Sequence, residues 1–484
     1  MIPLTLYAGR NVGVLGLGRS GLSAARALKA GGATVFAWDD GEPARAAAAA
    51  EGLTIADLSR PREAAVLELL VVSPGIAHHY PEPHRAVAQA WEHGVPVDND
   101  VSLFFQALAD PDREGADETP PRTLCITGSN GKSTTTALIH HLLLEAGRLS
   151  QMGGNIGRGV LDLDPPEPGE ALVLELSSYQ IELARTLAPD IAVFLNLSAD
   201  HLERHGGMGG YFAAKKRLFE MGGPERAIIG VDGPEGRFLA NTLPEAITIS
   251  TTKRLRGEGW SVFMNKNHLT EWRAGRQMAA VDLRVCAGLI GAHNHQNACA
   301  AYAAVRALGL SPRLIEKGLA SFPGLAHRME RLGRARGVTF VNDSKATNAD
   351  AAEKALQSFE RIRWIAGGQA KAGGIAPLAP LFPRLAKAYL IGESAAEFAA
   401  TLTAVPHEIC HDLAPMLEAL ELVPGGSSRG EEDGVARRGR GGGPGGGGGE
   451  VMADLVGECG ESGGELGGAL PDQVGFCEPR EERG

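Results

Sequence analysis

Short apolar runs alternate with amphipathic stretches along most of this chain. Residues 12–15, 34–38 and 69–72 have the length and composition of buried strands, while 21–30 and 83–93 carry the helical period. That alternation predicts a small parallel α/β unit over 1–99. A second α/β unit is expected over 100–322. An acidic, proline-containing loop at 110–122 leads into apolar runs at 124–126, 173–176 and 191–196 and a helix at 135–145. Residues 225–285 alternate short apolar runs with polar turns and read as part of the same sheet. A third, smaller parallel unit over 323–424 is expected from strands at 338–341, 363–366 and 388–391 and a helix at 348–359. The pattern then stops. About a third of residues 425–484 are glycine, with a nearly pure run at 441–449 and no strand or helix periodicity. Such a segment buries too little apolar area to offset the entropy of ordering glycine. It is expected to be a disordered tail, or alternatively an out-of-frame or otherwise aberrant stretch.

Composition narrows the class. A chain of 484 residues exceeds one ordinary core and suits about three domains. A net charge of −11 argues against nucleic acid or an anionic membrane as partner, since both need a basic surface. No apolar stretch is long enough to span a bilayer, and the opening MIPLTLYAGRNVGVLGLG does not read as a signal peptide. The six scattered cysteines form no metal-type pairs and read as reduced thiols, so a cytoplasmic protein is expected.

The chemistry begins with Thr127, Gly128, Ser129, Asn130, Gly131, Lys132, Ser133 and Thr134. An apolar strand precedes this glycine turn and a helix follows it, so turn amides and the positive helix end face an anion together. Lys132 can reach the outer phosphates of a nucleotide, and the Ser133 hydroxyl can ligate Mg²⁺. The gap from Gly128 to Gly131 is shorter than in the common GxxxxGK[ST] loop. Near the N-terminus, Gly16 to Gly21 fits GxGxxG after a strand, with Asp39 ending the next strand. A diphosphate nucleotide of UDP type, NAD and a purely structural turn are the three readings. A second turn at Ser73, Pro74, Gly75, Ile76 and Ala77 would lie at the same sheet edge.

Taken together, GLGRSG, SPGIA, TGSNGKSTTT, GGNIG, LELSSYQIE, NLSADHLERH, AAKKR, GAHNHQNA, AHRME, NDSKATN and GGQAKAGG resemble the Mur ligase family over roughly residues 10–423. The resemblance implies three domains: a Rossmann-like N-terminal one, a P-loop-type central ATPase and a smaller Rossmann-like C-terminal one. It implies ATP-driven amide formation through an acyl phosphate. The GLGRSG and SPGIA pair favours the member that joins D-glutamate to UDP-N-acetylmuramoyl-L-alanine, and a monomer is expected. Two Mg²⁺ ions are implied, on Ser133, Glu175, His201 and Lys215, the last carbamylated; Asp200 would orient His201. A basic solvated helix face is the plain alternative for Lys215, and Lys216 competes for its role. Gly18, Arg19, Ser20, Asp39, Gly75, Asn155 and His201 are implied for the UDP-substrate. Asn294, Asn297, Arg328 and Asp343 join the glycine turn for ATP, with helix capping an alternative for Asn294. Lys345, Thr347 and Lys371 are implied for D-glutamate, an ordinary surface lysine being the alternative for Lys371.

The family's final strands and helix have no counterpart after Pro424. Losing them would cost a small domain several kcal/mol, comparable with its whole stability, so impaired D-glutamate ligation is expected. Three alternatives stay open. One is another Mur-type or folylpolyglutamate-type ligase. Another is an NAD-dependent dehydrogenase, which leaves TGSNGKST and NDSKATN without purpose. The last is a nucleotide-binding protein without turnover.

Overall fold

The computed structural model describes residues 1–410, except 114, 287, 290, 292, 336, 337 and 371–373, together with 451–456. Three sheets follow one another along the chain. The first is all parallel: β1 (Asn11–Leu15), β2 (Thr34–Trp38), β3 (Thr54–Ile55), β4 (Leu69–Val72) and β5 (Val97–Asp98), in the order β3-β2-β1-β4-β5. The order reverses at the β1/β4 pair, so the turns after β1 and after β4 meet at one crevice, where such sheets bind ligands.

The second sheet has nine strands: β6 (Arg122–Thr127), β7 (Ser150–Gly154), β8 (Ala171–Glu175), β9 (Ile191–Phe194), β10 (Arg226–Gly230), β11 (Ile247–Ser250), β12 (Ser261–Asn265), β13 (His268–Arg273) and β14 (Arg276–Asp282). Their order is β14-β13-β12-β11-β10-β9-β6-β8-β7, and only the β12-β13-β14 meander is antiparallel. β6, β8 and β9 are apolar and buried, as parallel strands covered on both faces must be. The helix Lys132–Glu145 is buried at Thr135, Thr136, Ala137, Leu138, Ile139, Leu142 and Leu143, because the helices His293–Ala307 and Pro312–Ser321 pack over it.

The third sheet contains β15 (Glu330–Ala335), β16 (Val338–Asn342), β17 (Ile362–Gly367), β18 (Leu385–Ile391), β19 (His407–Ile409) and β20 (Val451–Val456), in the order β15-β16-β20-β17-β18-β19. β20 corrects the expectation of an unstructured segment after Pro424. It lies parallel between β16 and β17, with Thr339 opposite Val451 on one side and Ile362 opposite Val451 on the other. Six consecutive residues without glycine supply what the surrounding sequence lacks, and both of their backbone edges are paired. The rest of the predicted tail, like the final helix sought there, lies outside the described residues. Cys125, Cys286 and Cys299 are buried free thiols, and Cys410 is buried as well. Among the described residues no helix is long and apolar enough to cross a membrane.

Candidate active site

The glycine turn after β6 sits at the switch point of the nine-stranded sheet. Gly131 has φ +85, and a Cβ there would lie 2.2 Å from Asn297 Oδ1, so both the backbone and the neighbouring helix demand glycine. Asn297 Oδ1 also accepts from Thr135 Oγ1 at 3.2 Å, while Asn297 Nδ2 donates to Asn294 Oδ1 at 2.9 Å. The two asparagines thus join the first turn of His293–Ala307 to the start of Lys132–Glu145. The Asn130 amide donates to Asn196 Oδ1 at 2.9 Å, and Ser129 Oγ donates to the Ser198 carbonyl at 3.0 Å. Lys132 folds back so that Nζ donates to the Ser129 carbonyl at 2.9 Å. Burial lowers its pKa against the opposing pull of nearby Glu175, and Arg328 lowers it further.

Glu175 ends β8, buried at the bottom of the same crevice. Its Oε1 accepts from Asn155 Nδ2 at 3.3 Å, and the Asn155 amide donates to the Glu175 carbonyl at 2.8 Å. Its Oε2 has no hydrogen-bond partner although it is buried. An orphaned buried carboxylate oxygen is costly in isolation and suits a hard cation. Among the described residues no three His, Cys, Asp or Glu side chains converge. Mg²⁺ needs no such cage, since one or two carboxylates with substrate phosphates hold it.

Lys215 is almost wholly buried in the helix Met208–Glu220, and its Nζ donates to the Gly128 carbonyl at 2.9 Å. The ammonium also lies 4.5 Å from the Tyr211 ring centroid. Burial first, and then the neighbouring Lys132, drive its pKa well below the ordinary lysine value, while Asp200 and Glu175 pull the other way. A buried amine pushed towards neutrality is the form that attacks CO₂. Lys216 instead reaches Glu220 at 2.8 Å along the helix surface. His201 takes left-handed φ 54 just before the short helix Leu202–His205, and its Nε2 lies 3.4 Å from Asp200 Oδ2. Two expected assignments therefore have physical counterparts: Lys215 rather than Lys216 lies inside, and Asp200 contacts the His201 ring.

On the N-terminal side, Arg19 donates to the carbonyls of Gly157 at 3.0 Å and Asn155 at 3.3 Å, bridging the first sheet to the loop after β7. The Ser20 side chain hydrogen-bonds to buried Asp100. Gly18 and Gly75 are exposed, and a Cβ on either would meet nothing within 4 Å. Gly21 is different: a Cβ there would lie 1.7 Å from the Gly16 carbonyl oxygen. Asp39 spends both carboxylate oxygens on backbone amides, Leu17 at 2.7 Å and Gly41 at 2.8 Å, and so holds the glycine turn in shape.

A cavity of about 540 Å³ opens between the central and third sheets, lined by Asn130, Gly131, Thr134, Asn294, Asn297, Arg328, Asp343 and Lys345 among others. Arg328 crosses it and donates to Ser133 Oγ at 3.0 Å. Asp343 accepts from the Met329 amide at 2.9 Å, and burial raises its pKa to about 6. Thr347 lies beside the cavity, its amide bonded to the Lys345 carbonyl, and Lys371 falls outside the described residues. Sequence reasoning missed His78, Glu182, Arg204 and Tyr211, which pack behind His201 and Lys215. Only the adjacency of HH to SPGIA and of ERH to ADH marked His78 and Arg204, and Glu182 closes LELSSYQIE.

The Mur ligase middle domain model matches residues 126–305, and the Mur ligase glutamate ligase domain model matches 327–428. UDP-N-acetylmuramoylalanine–D-glutamate ligase of Cereibacter sphaeroides is 60% identical over 433 residues, covering 88% of this chain and 93% of that protein. The ligase of the same name from Ruegeria pomeroyi is 56% identical over 455 residues, 91% and 97% of the two chains. Among solved structures, UDP-N-acetylmuramate–alanine ligase of Thermotoga maritima superposes with a TM-score of 0.56 at 17% identity, over 92% of this chain and 95% of that one. MurF of Acinetobacter baumannii gives 0.52 at 21% identity, over 77% and 84%. At these identities the structures speak for the fold alone.

Proposed function

This chain belongs to the Mur ligase family, and we infer from that premise that it joins D-glutamate to UDP-N-acetylmuramoyl-L-alanine at the expense of ATP. The observation that carries the reading is the cluster at a switch point in which buried Glu175 and Lys215 lie close to half-buried Lys132 and Asp200. N-terminal and C-terminal units close on it from either side through Arg19 and Arg328.

Two anions must meet here, a carboxylate and a triphosphate. A carboxylate oxygen of the UDP-substrate attacks the γ-phosphorus and ADP leaves. The D-glutamate amine attacks the acyl carbon, inorganic phosphate leaves with that carboxylate oxygen, and the amine gives up a proton. Ser133, Glu175 and His201 would hold Mg²⁺, which supplies charge neutralisation between the phosphates. Lys132 serves the outer phosphates once it swings off the Ser129 carbonyl. Arg328, planar and permanently charged, answers it from the third sheet. Asn294, Asn297 and Asp343 take the nucleoside, and Lys345, Thr347 and Lys371 the glutamate carboxylates. Gly18, Arg19, Ser20, Gly75 and Asn155 face the UDP-substrate, with Asp39 shaping the turn. Lys215 would give up one proton from its ammonium, add CO₂ as the neutral amine and lose a second proton; the resulting carbamate anion would hold a second Mg²⁺. The working unit of this reading is a monomer.

β20 supplies one strand of the missing segment and makes the third sheet continuous from β15 to β19, which removes part of the ground for expecting impaired ligation. Phosphate release assayed with ATP, Mg²⁺ and UDP-N-acetylmuramoyl-L-alanine tests the reading. Release is expected on adding D-glutamate and not with L-glutamate, meso-diaminopimelate or glutamyl folate. Stimulation by any of those in place of D-glutamate would assign a sister activity.

A further inference from the structure

We propose that His78, Glu182, Arg204 and His205 form a clasp between the first and second sheets that positions His201, coupling the UDP-substrate side of the site to its metal side. The proposal rests on the ligase reading above and adds residues that reading does not use.

The segment carrying His201 is a single helical turn, Leu202–His205, with left-handed residues at both ends, His201 at φ 54 and Gly206 at φ 65. So short a turn has little stability of its own and takes its position from what grips it. Arg204 donates to the Gly75 carbonyl at 2.8 Å and the Ile76 carbonyl at 2.9 Å, both in the turn after β4 of the first sheet. Its guanidinium lies 4.7 Å from the Tyr179 ring centroid. The His205 side chain is fully enclosed, with Nε2 2.9 Å from Ser178 Oγ and Nδ1 3.2 Å from Glu182 Oε2. His78, from the N-terminal segment, brings Nε2 within 3.4 Å of the same Glu182 oxygen. Both imidazoles therefore converge on one shared carboxylate oxygen.

The clasp reaches His201 through Tyr179. That ring stacks on His205 with centroids 5.1 Å apart, and the His201 ring lies 5.1 Å away, tilted. The backbone leaves no slack. A Cβ at Gly210 would sit 1.8 Å from the His205 carbonyl oxygen, and one at Gly206 would press on the Tyr80 ring of the N-terminal segment at 3.1 Å. Residues 75–78 lie beside the first-sheet crevice assigned to the UDP-substrate. Ordering them there fixes Arg204 and Glu182, and through Tyr179 the His201 ring. Coupling of this kind is reciprocal: whatever the UDP-substrate does to metal affinity, the metal does to UDP-substrate affinity.

The test is Mn²⁺ affinity, read by electron paramagnetic resonance with a non-hydrolysable ATP analogue present, with and without UDP-N-acetylmuramoyl-L-alanine. In the unaltered protein the UDP-substrate is expected to tighten Mn²⁺ binding by about 5- to 100-fold. Arg204→Ala and the isosteric Glu182→Gln are expected to bring that factor to about twofold or less, and Arg204→Lys to restore part of it. ATP-analogue affinity should stay unchanged in all three. Glu182→Gln keeps the test open if Arg204→Ala fails to fold, and its melting temperature is checked first. A full coupling factor in both variants overturns the clasp. Unaltered protein that releases phosphate on D-glutamate but shows no coupling overturns the clasp alone. Unaltered protein that binds no UDP-substrate overturns the ligase reading and the clasp with it.

Discussion

Lys132 and Asp100 show at the residue scale how burial is used and tolerated. Lys132 is held without a carboxylate hydrogen-bond partner, against a backbone carbonyl, so its charge is available to an incoming phosphate. Lys132→Ala is expected to lower kcat by about 10²- to 10³-fold or more, the usual loss for one preorganised charge donor, with melting temperature unchanged. Steady-state phosphate release and calorimetry check both. Asp100 is buried beneath the N-terminal glycine turn, its Oδ1 unpartnered, and burial raises its pKa to about 6. An unfolded aspartate titrates near pH ~3.9. Between those values the folded state binds more protons, so this group's contribution falls as pH rises through that window and its full cost remains above it. Asp100→Asn should therefore stabilise the protein by about 1 to 2 kcal/mol at pH ~7.5 and do nothing near pH ~4. Denaturant titrations at the two pH values measure this. Lys132, Glu175 and Lys215 were legible because each stands in a local string with a strand or helix beside it. The Glu182, His205 and His78 contacts were not, because three distant segments create them.

Elements were read well where period and length agreed. The strands expected at 34–38 and 69–72 appear as β2 and β4 with the same limits. β3 and β5 were missed, since two-residue strands carry no periodicity. β20 was missed for another reason: its residues are apolar enough, but glycine on both sides masked them. The structure gives it two backbone partners, so Ala453→Pro should remove a ladder bond from the middle of the third sheet and cost about 3 kcal/mol. Expected are loss of D-glutamate-dependent turnover and retained UDP-substrate binding, read by calorimetry. The glycine turn makes the complementary case. Gly131→Ala meets both a forbidden φ and Asn297, and should weaken ATP binding at least tenfold, about 1.4 kcal/mol, without disturbing the UDP-substrate.

At the scale of the whole molecule, three α/β units, the first all parallel and the other two mixed, meet at the cluster around buried Glu175 and Lys215. Arg19 and Arg204 tie the first to the second, and Arg328 ties the third. Residue patterning foretold that there were three units, while their mutual contacts rest on long side chains whose partners no local pattern names. The proposed carbamylation of Lys215 has its own check: protein equilibrated with carbon-13 bicarbonate is expected to show a carbamate resonance that Lys215→Ala abolishes. The most direct test follows the transferred oxygen. UDP-N-acetylmuramoyl-L-alanine labelled with oxygen-18 in its carboxylate is turned over with ATP and D-glutamate, and the phosphate is read by phosphorus NMR. Phosphate carrying an oxygen from that carboxylate is the predicted result, because the acyl phosphate breaks at the acyl carbon. Unlabelled phosphate would contradict phosphoryl transfer to the carboxylate.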